Sequence, residues 1–94
     1  EKISPLEVDA LLLDHPAVAE AVCFAVPDVK YGEIVQAVVV LSGDADEAAI
    51  QSFCRERMAD FKVPERIYIT DTLPRTATGK IQRRNVSATF APQD

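Results

Sequence analysis

The segment Ile34-Val35-Gln36-Ala37-Val38-Val39-Val40-Leu41 constrains the fold more than any other part of the chain. Seven of its eight residues are apolar, and five of them are β-branched. β-Branched side chains are stiff and suit a pleated strand better than a helix. An alternating pattern would bury one face of such a strand. This run is apolar on both parities, so it predicts a central strand buried on both faces. Each face then needs its own covering layer. The whole chain has 94 residues, enough for one domain and too few for two. A domain of that size buries roughly 60–65% of its unfolded surface. It has room for a modest core but not for a pocket enclosing a whole substrate, so chemistry is expected at an edge or a shared surface.

The flanking segments supply the layers. Ser4-Pro5-Leu6-Glu7 reads as a helix start. Ser4 is placed to cap, Pro5 suits the first helical position, and Glu7 completes a capping box. Ile3 and Val8 are spaced for a hydrophobic staple, and Val8, Leu11 and Leu12 continue the apolar stripe. Pro16 disfavours helical geometry at His15 and stops the helix near Asp14. Residues 17–26 read as a strand with Val18, Val22, Phe24 and Val26 on one parity. Pro27-Asp28 opens a turn containing Gly32. The short connection makes this strand and residues 34–41 an antiparallel pair. Asp44 or Asp46 caps a second helix running to about residue 59, with Ile50, Phe53, Cys54 and Met58 inward. Arg55, Glu56 and Arg57 face solvent. Residues 66–70 alternate as a third strand with Ile67 and Ile69 on one face. Residues 81–90 form a short last helix. The expected architecture is a single α+β domain over residues 1–94, with about three mainly antiparallel strands and packed helices.

Charge narrows the function. Fifteen acidic and ten basic residues give a net charge of -5, which attracts neither nucleic acid nor an anionic membrane. The acids concentrate before residue 60, while Arg75, Lys80, Arg83 and Arg84 fall within ten positions. A cationic patch on an acidic body points to an anionic ligand. Arg83 and Arg84 by themselves read as solubilising helix charges. Cys23 and Cys54 lie in apolar periodic segments and read as buried core thiols. A lone histidine, His15, gives no His-rich metal site, and no metal site is expected. No apolar run approaches about 18 residues and no signal peptide is evident, which makes the cytoplasm the simplest compartment. The chain begins at Glu1 rather than Met, and reads as a piece of a longer protein.

Chemistry is expected in Leu73-Pro74-Arg75-Thr76-Ala77-Thr78-Gly79-Lys80-Ile81-Gln82-Arg83-Arg84. Gly79 permits positive φ or close backbone approach to a ligand. Thr76 and Thr78 offer hydroxyls. A helix starting at Lys80 or Ile81 would aim free N–H groups at an oxyanion, and Lys80 is a flexible point charge able to follow a phosphate. Spacing alone favours a plain solvated turn. It excludes a P-loop, which needs Gly where Pro74 stands and Ser or Thr where Ile81 stands.

These twelve residues resemble the last core motif of the superfamily of acyl-CoA synthetases, luciferases and peptide-synthetase adenylation domains. The resemblance extends over nearly the whole chain. It includes Glu1-Lys2-Ile3-Ser4-Pro5-Leu6-Glu7-Val8, His15-Pro16-Ala17-Val18 with Ala21-Val22, Pro27-Asp28 with Tyr31-Gly32-Glu33, and Lys62-Val63-Pro64. It implies the small C-terminal domain of a two-step enzyme whose large N-terminal domain is a partner outside this chain. In such enzymes a carboxylic acid attacks the α-phosphate of ATP, pyrophosphate leaves, the small domain rotates, and CoA displaces AMP. ATP and CoA are then co-substrates and Mg2+ accompanies ATP, with none of them bound by this domain alone. Lys80 matches the catalytic lysine of the first step. A cation about 4 Å from developing charge contributes roughly 4 kcal/mol at an effective dielectric near 20, about a thousandfold in rate. Thr76, Thr78 and Gly79 belong to the nucleotide-side loop. Lys2, Tyr31, Lys62, Val63 and Pro64 match the face that meets CoA or the large domain after rotation. The resemblance lies nearest the ligases of small and medium acids, including oxalate- and coumarate-type enzymes. A peptide-synthetase adenylation domain and a non-catalytic binding module are the competing expectations.

Overall fold

The computed structural model describes residues 4–92. Lys2 and the expected Ile3–Val8 staple therefore lie outside the described residues. Helix α1 spans Pro5–Leu13, strand β1 Val18–Asp28, strand β2 Gly32–Leu41 and helix α2 Glu47–Arg55. A single 3-10 turn over Asp60–Lys62 leads into strand β3, Arg66–Thr70, and helix α3, Arg83–Phe90, follows. The α+β architecture matches the sequence reading. The sheet order is β1-β2-β3, which puts the apolar run of β2 in the middle.

β2 is buried on both faces, as its two-parity pattern requires. Val35, Ala37 and Val39 pack with Val8 and Leu12 of α1 and with Ile50 and Cys54 of α2. Val38 packs on the other side with Val22, Phe24, Val26, Leu73 and Val86 of α3. Each fully buried Val or Leu of this kind contributes about 1.5–3 kcal/mol. β1 pairs with β2 antiparallel, but β3 pairs with β2 in parallel, from Gln36↔Arg66 to Val40↔Thr70. The sheet is thus mixed rather than mainly antiparallel. The crossover through α2 returns the chain to the same end of the sheet, which a hairpin cannot do.

Local departures have physical reasons. The register shifts between Val18 and Glu20, and this bulge turns Val18 into the α1/α2 cluster while Val22, Phe24 and Val26 face α3. The expected single parity breaks there. Ser4 sits at the α1 N-cap with no side-chain cap bond. The capping box does not form, because Glu7 pairs instead with Lys62 at 3.0 Å. Asp46 is the cap of α2 and accepts from the Ala49 N–H at 2.8 Å. α2 ends at Arg55, short of residue 59. The chain turns there, and Met58 still packs on the α1/α2 cluster. Phe53 is only partly buried, edge-on to His15 at 4.9 Å and under the Arg57 guanidinium. Ile67 is buried and Ile69 exposed.

The outer edge of β1 is closed by an ion pair. The Cys23 N–H donates to Asp9 Oδ1 at 2.7 Å, and Arg83 Nη1 donates to the Cys23 carbonyl. Arg83 Nη2 completes the loop with Asp9 Oδ2 at 2.8 Å. Arg83 is therefore no solubilising charge, since it joins α3, β1 and α1. Arg84 is exposed, as read from sequence.

Both cysteines are free and buried, in agreement with the core-thiol reading. Desolvation first, and then the Asp9 carboxylate, push the Cys23 thiol from the ordinary 9.0 to about 12. Burial also raises Cys54. A raised folded-state value favours the protonated, folded form. That contribution is complete below the unfolded value and is lost as pH rises through the folded one. Stability in urea should therefore fall between pH 9 and about 12, and neither thiol should alkylate below pH 9 until the chain is unfolded. Native labelling of Cys23 at neutral pH would contradict this.

Candidate functional site

Residues 75–81 form a small hairpin. Arg75 and Ile81 make an antiparallel bridge. The Thr76 N–H donates to the Lys80 carbonyl at 2.8 Å and the Gly79 N–H to the Thr76 carbonyl at 2.9 Å. Gly79 has φ +85°, so the three-residue loop 77–79 closes on a left-handed glycine in the manner of a G1 bulge. Thr76 Oγ1 accepts from the Lys80 N–H at 3.2 Å and lies 2.9 Å from Thr78 Oγ1. A hydroxyl has one hydrogen and two lone pairs. If Thr76 donates to Thr78, the Thr78 hydrogen is left for a ligand. The hairpin is preformed rather than a loose turn.

α3 starts at Arg83, not at Lys80 or Ile81, because Ile81 is held in the bridge with Arg75. The expected helix N–H groups therefore do not converge at Gly79-Lys80. The cationic patch is also smaller than its sequence. Arg75 pairs with Glu20 and donates to the Gly79 carbonyl at 3.2 Å, and Arg83 is committed to Asp9. Lys80 and Arg84 remain as exposed cations without an ion pair among the described residues.

The other expected face lies at the opposite end of the sheet. The Asp28 carboxylate accepts from the Lys30 and Tyr31 N–H groups at 3.0 and 2.8 Å, and Gly32 takes φ +83°. This turn lifts Tyr31 to the tip of the β1–β2 hairpin. An open groove of about 670 Å³ runs beside it, lined by Tyr31, Ile34, Phe61 and Val63 and by the acids Glu33, Asp60 and Glu65. Val29, Tyr31 and Phe61 leave apolar surface at this end. Lys62 does not line the groove, being tied to Glu7, and Pro64 is fully buried with its carbonyl accepting from Gln51 at 3.1 Å. The Lys62–Glu7 pair is worth at most about 1 kcal/mol, so it opens readily for a stronger anion. Glu20 lies near the start of β1 and Asp28 at its end, eight residues or about 26 Å apart along an extended strand.

Sequence reasoning missed Glu20, Asp9 and the acidic lining of the groove. Their partners are distant in sequence, and no spacing rule links position 9 to 83 or 20 to 75. No group of three or more His, Cys, Asp or Glu side chains able to hold a metal ion occurs among the described residues.

Residues 7–80, most of the chain and including the hairpin up to its lysine, match the AMP-binding enzyme C-terminal domain. This chain belongs to that family. It is 55% identical over 92 residues to an oxalate–CoA ligase of Arabidopsis thaliana, covering 96% of this chain and 18% of that protein. It is 54% identical over 95 residues to a probable CoA ligase of Humulus lupulus, covering 99% of this chain and 18% of that protein. Among solved structures it is similar to the o-succinylbenzoate coenzyme A synthetase of Bacillus subtilis in complex with ATP and magnesium ion. The TM-score is 0.83 at 37% identity, covering 93% of this chain and 18% of that one. The AMP-binding C-terminal domain described here thus spans under a fifth of the length of these relatives.

The preformed hairpin rests on Gly79. A Cβ there meets nothing within 4 Å, so the cost of Gly79→Ala is the left-handed φ alone, about 1–2 kcal/mol. The Thr76 amide, closed onto Lys80, should exchange with solvent about tenfold faster in Gly79→Ala. Unchanged exchange would show that the hairpin does not depend on that conformation.

Proposed function

We propose that residues 1–94 form the mobile C-terminal domain of an AMP-forming acid–CoA ligase, working against a large N-terminal domain of the same enzyme. The observation that carries the reading is Lys80. In a chain of this family it is an exposed cation, uncompensated among the described residues, on a glycine-closed hairpin. In the first half-reaction a carboxylate oxygen of the acid bonds to the α-phosphorus of ATP, and pyrophosphate leaves with the electrons of the broken P–O bond. Lys80 neutralises charge gathering on the carboxylate and phosphate oxygens, and the Thr78 hydroxyl donates beside it. Magnesium enters with ATP.

In the second half-reaction the CoA sulfur attacks the acyl carbon and AMP leaves. The Tyr31 end of the sheet serves this step. The groove lined by Tyr31, Phe61 and Val63 carries Glu33, Asp60 and Glu65, which suits the neutral arm of CoA better than its phosphates. Lys62, once released from Glu7, meets a phosphate at the rim. The relatives make oxalate the first acid to assay.

Half-reaction kinetics of the full-length enzyme test both ends. Lys80→Ala should lose about a thousandfold in pyrophosphate release yet form thioester from supplied acyl-adenylate and CoA. The Tyr31→Ala, Lys62→Ala double variant should adenylate normally and raise the KM for CoA about tenfold. Equal loss of both half-reactions in either variant would overturn the assignment.

A further inference from the structure

The lysine hairpin closes on itself, but nothing in its own hydrogen bonds fixes how it stands on the sheet. Ala77, Thr78, Gly79 and Lys80 are all exposed and add no side chain to either core cluster. A self-contained loop on a two-residue stem can swing as a unit. The chain enters it from buried Leu73 and leaves it towards the clamped Arg83, and its own links to the body are Ile81, partly buried against the α3-side cluster, and Arg75.

Arg75 is placed to bias that swing through two contacts, each weak by itself. One guanidinium nitrogen donates to the Gly79 carbonyl at 3.2 Å, gripping the far side of the loop. The other pairs with Glu20 on β1. The rigid planar fork of Arg holds both contacts in one geometry, which a Lys cannot reproduce. A second, independent feature serves the same end. The register shift between Val18 and Glu20 changes which face these residues take. Val18 turns to the α1/α2 side, so Glu20, in step with Val22 and Phe24, stands on the α3 side where the hairpin lies. Bulges that re-aim a side chain are over-represented beside active sites.

We propose that the Glu20–Arg75 pair is the positioning device of the Lys80 hairpin, setting where the lysine ammonium meets the reacting oxygens during adenylate formation. The pair touches no substrate and acts through the Gly79 carbonyl and the hairpin stem. This inference rests on the reading of Lys80 given above. A displacement on the order of 1 Å at a reacting group costs about a hundredfold, so an unfastened hairpin is expected to slow adenylation without abolishing it.

The test uses the full-length enzyme with MgATP and whichever of oxalate, o-succinylbenzoate and a fatty acid gives the fastest wild-type pyrophosphate release. Arg75→Met and Glu20→Gln should each lower the adenylation kcat about ten- to a hundredfold with little change in KM for ATP. Thioester formation from supplied acyl-adenylate and CoA should stay at the wild-type rate. Arg75→Lys, which keeps the Glu20 contact but not the fork, should fall between wild type and Arg75→Met. The double variant should be no slower than the worse single one, because both changes break one link. Additive losses, equal losses in both half-reactions, or full adenylation in Arg75→Met would each overturn the positioning role. Lys80→Ala in the same assay separates the two ideas. If it alone loses adenylation, only the positioning role fails. If it keeps adenylation, the reading of Lys80 fails.

Discussion

The ion pair between Asp9 and Arg83 ties α1 to α3 around the open edge of β1. α1 and α3 lie on opposite faces of the sheet, and neither touches the other's core. Asp9 and Arg83 bring them together around the open edge of β1. There Asp9 takes the Cys23 N–H and Arg83 takes the Cys23 carbonyl. Exposed strand edges present unpaired backbone groups that invite pairing with another chain. The charged clamp satisfies one such pair of groups and blocks the edge. It is also partly buried, with side-chain exposures of 15% for Asp9 and 33% for Arg83. Removing one partner would strand the other charge with its hydrogen bonds unmade. Arg83 begins α3 two residues after the hairpin bridge at Ile81, so the clamp also fixes the point where the chain leaves the lysine hairpin.

From that frame follows a domain with two distinct ends. The parallel arrival of β3 delivers residues 71–80 to the Glu20 end of the sheet, while the β1–β2 turn lifts Tyr31 at the other. The two half-reactions proposed above call for two separate surfaces and a rigid body between them. The short sheet, buried on both faces, supplies that body. Charge is distributed to match. Lys80 stands free of ion pairing among the described residues, whereas the Tyr31 groove is lined with acids and aromatic surface.

Much of this was legible in the residues themselves. The two-sided burial of β2 follows from apolar residues on both parities of the strand, and the α2 cap from Asp46 ahead of an amphipathic stripe. The Gly79 hairpin was readable as a site able to take positive φ. Other features were hidden because they depend on contacts distant in sequence. Glu7 fits a capping box, yet the fold brings Lys62 within 3.0 Å and Glu7 pairs with it instead. Val18 shares a parity with Val22 until a bulge reverses it. Arg75 and Arg83 look like two more surface cations, and only the packed structure shows each committed to an acid more than fifty residues away. The direction of β3 was legible in the connection rather than in the strand, since a helix between two strands is the usual crossover of a parallel pair.

The two-ended account is tested most directly by lysine footprinting of the full-length enzyme, with acetylation read by mass spectrometry. The account predicts that a non-hydrolysable acyl-adenylate analogue protects Lys80 and leaves Lys30 and Lys62 reactive. Adding a CoA product analogue should reverse the pattern, exposing Lys80 and protecting Lys62. Protection of all three lysines together by either ligand, or Lys80 labelling that neither ligand changes, would contradict it.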